Sequence, residues 1–166
     1  MLTSLACIDS LAKPSPSSVL DHENRIIAQA IEMLERRLFA NGPQLQSPEA
    51  VSDYLRLKLI PEPSEVFVAV FLSSKHQVIA CETLFRGTID TAQIHPRVVI
   101  QRALAHNAAA LVIAHQHPSG CPDPSPQDER LTQCLKSALD CVDVKLLDHF
   151  IVGLGEPFSF ARNGLM

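Results

Sequence analysis

Apolar residues recur along this chain with two different periods, and the switching between them predicts its elements. In HENRIIAQAIEMLERRLF, Ile27, Ala30, Ile31, Leu34 and Leu38 fall on one side at helical spacing. Asp21 is placed to cap that helix, Arg36 and Arg37 suit its C-terminal end, and Asn41-Gly42 stops it. Before it, KPSPSS at 13–18 reads as a flexible leader. Ser47-Pro48 is an N-cap followed by proline at the first helical position, opening a second helix through about Leu59. EVFVAVFL is a buried strand rich in β-branched and aromatic residues; SSKH turns the chain, and QVIACETLF is its antiparallel partner. GTIDTAQI is a further short stretch flanked by turns. Pro96 then starts the helix PRVVIQRALAHN, and AAALVIAHQH is a short apolar strand. SPQDERLTQCLKSALD is a helix, VKLLDHFIVG another strand, and PFSFARNGLM adds a last short strand. Strands interleaved with helices predict an α/β sandwich with helices packed on a mixed sheet. A boundary near Pro43 divides residues 1–42, a leader and one amphipathic helix, from a main domain over 43–166. The first helix needs a surface to cover, which is either the main domain or a second copy of the chain in a homodimer.

Composition narrows the class. Hydrophobic residues make up 46% of the 166, so a substantial core is available and wholesale disorder is excluded. The net charge of −4 argues against a nucleic-acid binder working by phosphate neutralisation. Five cysteines (Cys7, Cys81, Cys121, Cys134 and Cys141) form an odd set without CxxC spacing, which predicts reduced thiols in a cytoplasmic protein. Cys134 and Cys141, seven apart on one predicted helix, are expected on its buried face. No apolar run is long enough to span a membrane, and the start lacks the basic and apolar regions of a signal peptide.

The chemistry concentrates in HQHPSGCPDPSPQD. His115 and His117 are i and i+2, so on an extended segment both imidazoles point the same way and can reach one ion. Zinc takes imidazole and carboxylate ligands in a tetrahedron, and a catalytic site uses three of them, so a third is needed and Asp128 is available. Pro118, Pro122, Pro124 and Pro126 restrict the loop, and Gly120 lets it turn back. A plainer reading stands beside this one. Ser125-Pro-x-Asp128 has the form of a helix N-cap with a capping box, and two neighbouring histidines are more often solvated or hydrogen-bonded than metal-bound. The readings of Ser125 and Asp128 are compatible, because a cap can aim both side chains at an ion.

The whole string, His-x-His-Pro followed by Ser and Asp ten and thirteen residues after the first histidine, resembles the metal signature of the JAB/MPN+ (JAMM) metalloproteases. LFRGTIDTAQIHPR, AHNAAALVIAHQHPSG and LLDHFIVG are in turn similar to the RadC family of bacterial proteins, over roughly Gln44 to Met166. The resemblance implies a three-layer α-β-α sandwich with a mixed sheet, of the JAB/MPN kind that the cytidine deaminases share. It implies zinc as cofactor, His115, His117 and Asp128 as ligands, Ser125 as the serine that hydrogen-bonds the reacting oxygen, and Glu82 in IACETLF as the upstream glutamate. From residues alone Glu82 reads as an ordinary strand-end carboxylate. The reaction implied is hydrolysis of a peptide or isopeptide bond in a protein or peptide substrate, with Glu82 as proton acceptor and donor. Gln116 departs from the family's usual Asn, at a position expected to point away from the metal. Only one amphipathic helix precedes the domain, where full-length RadC proteins carry a helix-hairpin-helix-like region, so the chain resembles the family's short form.

Other histidines carry weaker signals. His149, beside Asp148, reads as structural, and His95 and His106 as capping or supporting groups around one helix. Two further function classes stand beside the metallohydrolase. One is a metal-containing binding or regulatory module, and the other is a DNA-repair accessory, which the family's name suggests and the acidic charge disfavours. A zinc nucleobase deaminase is excluded because no His-x-Glu or Pro-Cys-x-x-Cys is present, and a zincin because no His-Glu-x-x-His is.

Overall fold

The long apolar run EVFVAVFL becomes β1 (Val66–Leu72), every residue of which is buried. The structure is a computed structural model that describes residues 16–39, 48–87 and 94–166. β2 (Val78–Arg86) pairs antiparallel with β1 across the predicted turn. On its other side β1 pairs antiparallel with β3 (Ala110–Gln116), and β3 runs parallel to β4 (Lys145–Val152). A two-residue β5 (Phe158–Ser159) closes the edge, giving the order β2-β1-β3-β4-β5 and a mixed sheet.

Alternation along the strands splits the core in two, because successive side chains point to opposite sheet faces. Val66, Val68, Val70 and Leu72 meet α2 (Pro48–Leu59) through Val51, Tyr54, Leu55 and Leu59. Phe67, Ala69 and Phe71, with Leu111 and Ile113, meet α3 (Pro96–Ala105) and α4 (Pro126–Asp140) through Val99, Ala103, Leu135 and Leu139. Both faces of β1 and β3 are therefore covered, which explains why their sequences are continuously apolar rather than alternating. The expected three-layer α-β-α sandwich is the architecture found.

Three expectations are corrected. The first helix, α1, spans Pro16–Phe39, so Asp21 lies inside it and does not cap it. Proline lacks only an N–H that the first turn leaves unpaired, so Pro16 begins the helix where a leader was expected. Cys134 and Cys141 are both exposed. The buried stripe of α4 runs through Asp128, Thr132, Leu135 and Leu139; Cys134 is one position off it and Cys141 sits at the C-cap. The four described cysteines form no disulfide among themselves. The Asn41-Gly42 stop and residues 88–93 of the stretch after β2 lie outside the described residues, as does the side chain of Leu38.

Helix α1 covers the main domain. Ile31 and Leu34 pack against the α2-side core, and Tyr54 donates a 2.9 Å hydrogen bond to Glu35. Replacing Ile31 by Asp puts a carboxylate against that apolar surface. The expected result is a loss of roughly 1–3 kcal/mol of stability, read as a lower melting temperature. An unchanged melting curve would mean that the contact contributes nothing.

Candidate metal centre

The end of β3 sets the first histidine. His115 lies opposite Phe67 of β1 and Ile151 of β4, on the same face as Leu111 and Ile113, and is 1% exposed. Gln116 points to the opposite face, as its place in the alternation requires. There its Oε1 accepts from the Val66 N–H at 2.9 Å and its Nε2 donates to the Ser64 carbonyl, pinning the start of β1. His117 follows at the strand end, where its N–H donates to the Val152 carbonyl at 2.9 Å. Its Nδ1 donates to the Cys121 carbonyl at 2.9 Å, which turns Nε2 toward His115.

The loop after His117 is held against the β4 end by two glycines. Gly120 has φ +81°, a left-handed conformation that favours glycine, and its carbonyl accepts from Leu154 N–H at 2.7 Å. A Cβ on Gly153 would sit 2.5 Å from the Gly120 carbonyl oxygen and 2.8 Å from Pro122 N. Backbone cannot swing aside as a side-chain end can. Gly153→Ala is therefore expected to displace the loop that orients His117, at a cost of about 1–3 kcal/mol in thermal unfolding and with weakened metal binding. Wild-type stability and metal affinity in that variant would show that the loop has room.

Asp128 arrives on the first turn of α4. Ser125 is the N-cap: its Oγ accepts from Asp128 N–H at 3.2 Å, and Asp128 Oδ2 accepts from Ser125 N–H at 2.8 Å. The Ser125 hydroxyl also donates to Asp128 Oδ2 at 2.6 Å. Capping box and carboxylate positioning are thus one arrangement, as the sequence allows. A hydroxyl has a single proton, and here it lies on Asp128. Ser125 donates to a reacting oxygen only by giving up that contact.

Three side chains converge. His115 Nε2 and His117 Nε2 are 3.0 Å apart, His115 Nε2 is 3.3 Å from Asp128 Oδ1, and His117 Nε2 is 3.5 Å from Asp128 Oδ2. Donors lying 2.0–2.1 Å from a tetrahedral centre are separated by roughly 3.3 Å; each histidine is near that distance from the other and from one of the two Asp128 oxygens, and two imidazoles with one carboxylate are a zinc donor set. Among the described residues, this is the group of His, Cys, Asp and Glu side chains close enough to hold one ion. Burial opposes ionisation of Asp128, but hydrogen bonding to His115, His117 and Ser125 outweighs it and holds the carboxyl well below the usual range. Hydrogen bonding to Asp128 in turn raises the His117 pKa.

Glu82 is not brought into this group. It lies opposite Ala69 on β2, on the same sheet face but two strands and one pleat repeat from His115, roughly 12 Å between Cα atoms. Its carboxylate accepts from Arg102 Nε at 2.7 Å and Nη2 at 2.5 Å, and His106 Nε2 is 2.7 Å away. The Arg102 hydrogen bonds come first among the causes that hold its pKa at about 2. A folded value below the unfolded one, about 4.3, means that this pairing stabilises fully above pH ~4.3 and is lost as pH falls through about 2. Carboxyl-carbon NMR should find Glu82 still ionised at pH 3.5; a midpoint near 4.3 would contradict the pairing. His106 serves as both the α3 C-cap and the Glu82 partner, while His95 is the α3 N-cap without a side-chain cap bond.

Two polar neighbours flank the group: His149, which the sequence marks as structural, and Thr132, which it does not single out. His149 is fully buried, with Nε2 2.9 Å from His115 Nδ1 and Nδ1 2.7 Å from Thr132 Oγ1. Burial lowers its pKa. Thr132 is also fully buried and donates to the Asp128 carbonyl at 2.6 Å. Its spacing of four from Asp128, one helical turn, was the available signal. Asp148 does not join the donor group; its carboxylate accepts from the His149 N–H at 2.7 Å, from Ser159 Oγ at 2.6 Å and from Ala161 N–H at 3.0 Å. A cleft of about 200 Å³ opens beside His117, between Ile60, Pro63, Pro118 and Leu154.

Comparison with known proteins shows the family. Residues 45–165 match the family described as RadC-like JAB domain. A UPF0758 protein of Stutzerimonas stutzeri (strain A1501) is 57% identical over 142 residues, which cover 83% of this chain and 63% of that protein. One from Azotobacter vinelandii is 54% identical over 140 residues, 82% of this chain and 62% of the relative. The chain thus spans a little over three fifths of the length of the curated relatives it matches.

Proposed function

This chain belongs to the family of RadC-like JAB domain proteins, and from that premise we propose that it is a zinc-dependent metallohydrolase cleaving a peptide or isopeptide bond. The observation that carries the reading is the convergence of His115, His117 and Asp128, one ligand atom from each lying within 4.8 Å of the others. These three side chains would hold the ion. Zinc in such a site supplies Lewis-acid polarisation of a carbonyl and makes water acidic enough to attack near neutral pH.

The remaining chemistry belongs to the chain's own residues. Ser125 fixes the Asp128 carboxylate by two hydrogen bonds, so the third ligand needs little reorganisation. Glu82 is the acid-base group of this reading: freed from Arg102 and His106, it takes a proton from water and returns it to the departing amine. The cleft beside His117 would take an apolar side chain of the substrate, since Ile60 and Leu154, both exposed large apolar residues, are among those that line it. The substrate is a protein or peptide of unassigned identity. No described helix is long and apolar enough to cross a membrane. The test is a screen of peptide and isopeptide-linked libraries with zinc-loaded protein. Cleavage that chelation abolishes and zinc restores supports the reading. Zinc binding with no cleavage across the libraries would leave the metal-containing binding module as the better account.

A further inference from the structure

We propose that α1 carries a self-complementary face that pairs antiparallel with the same helix of a second copy of this chain, making a two-fold dimer. The proposal does not depend on the metal reading. It starts from what α1 leaves uncovered. Ile31, Leu34 and Glu35 face the main domain. At 3.6 residues per turn they project about 80–180° round the helix from Ile26. Val19, Ile26 and Met33, spaced by seven, form a separate stripe within about 40° of arc, and they stand 38%, 52% and 49% exposed. Every residue from Val19 to Ile26 is exposed. A helical stretch that short has little stability alone in water, and an apolar stripe along it needs a covering surface.

The charges beside the stripe identify that cover. Asp21, Arg25, Gln29, Glu32 and Arg36 follow one another at spacings of four, four, three and four, so they line one strip of the helix next to Ile26 and Met33. All five are exposed. The ion pair that ties α1 to the domain is Glu35 with Lys58 at 3.5 Å; among the described residues none of the strip's four charges has one. Charges on either side of Gln29 are opposite in sign. A two-fold axis through Gln29 therefore brings Asp21 to within one residue of the partner's Arg36 and Arg25 to within one residue of the partner's Glu32. It brings Ile26 equally close to the partner's Met33, and each pair occurs twice. One residue is about 1.5 Å along a helix, well within side-chain reach. A parallel pairing in register would instead set Arg25 against Arg25 and Glu32 against Glu32, which like charges oppose. An isologous contact of this kind closes at two copies. The strip alternates in sign, so it lacks the excess of Lys and Arg with which an amphipathic helix takes to anionic lipid.

Sedimentation equilibrium of the full chain over a dilution series measures the assembly. The expected species has twice the 18.2 kDa of one chain and dissociates on dilution. Ile26→Asp puts a carboxylate into the apolar seam and should weaken the dimer by about 10-fold or more. Circular dichroism should show its fold retained, since Ile26 lies outside both core clusters. Arg25→Glu and Glu32→Arg should each weaken the dimer, and the double variant should recover most of the wild-type affinity, because the antiparallel register sets these two residues face to face. A chain that stays at 18.2 kDa at every concentration overturns the proposal and leaves the stripe to a different partner. A dimer that Ile26→Asp leaves intact overturns it by placing the contact elsewhere. A double charge variant no tighter than the single ones overturns the antiparallel register. Should Ile26→Asp lose helix content, the charge variants decide.

Discussion

His117→Ala should lower zinc affinity by at least about 100-fold, because even the hydrogen-bond partners of a metal-bound histidine are worth about 10–100-fold. The variant removes one of three converging donors and leaves His115 and Asp128, too few for a tight site. It is also the cleanest of the three deletions. His115 is buried between Phe67 and His149, and Asp128 is half of the α4 capping box, so removing either also disturbs packing or the helix start. His117 stands at the mouth of the loop with its side chain 21% exposed. Stability should change little while the bound metal is lost, and zinc titration beside thermal melts separates the two. Undiminished affinity would remove His117 from the ligand set.

Glu82→Gln should retain zinc and reduce hydrolysis by a factor of about 10² or more. Glutamine keeps the shape and an oxygen acceptor for Arg102 but takes no proton near neutral pH. The structure adds a condition to this expectation. Paired with Arg102, the carboxyl sits at about 2, far below the near-neutral value that suits a general base. The pair must open for the role to be played. Arg102→Gln removes the main cause of the depression, so the Glu82 pKa should rise toward about 4.3 and the acid limb of the rate profile should move to higher pH. If Glu82→Gln hydrolyses at the wild-type rate, Glu82 is a structural partner of Arg102 and His106, and the base lies elsewhere.

Much of the fold is written locally. β1 and β3 are continuous apolar runs that only a strand covered on both faces accommodates, and Pro48, Pro96 and Pro126 mark three helix starts. The convergence of His115 and His117 follows from strand alternation, and the Ser125-Asp128 cap from a spacing of three. What escaped the sequence depends on register between distant segments. Glu82 meets Arg102 and His106 only because β2 sets Glu82 opposite Ala69 beneath α3, a pairing no local pattern encodes. His149 reads as an ordinary strand histidine until the parallel pairing of β4 with β3 lays it beside His115. Gly153 looks like a strand end, and its need for glycine comes from the Gly120 backbone folding over it. The one-residue offset that exposes Cys134 is a matter of helix phase, which α4 sets through Leu135 and Leu139.

The central claim is that His115, His117 and Asp128 hold a zinc ion, and X-ray absorption at the zinc edge of the purified, zinc-loaded wild-type chain tests it most directly. The account predicts about one zinc per chain, nitrogen and oxygen neighbours at about 2.0–2.1 Å, and the multiple-scattering signature of two imidazoles. A sulfur shell at about 2.3 Å, showing zinc held by the free cysteines instead, or the absence of stoichiometric zinc would contradict it.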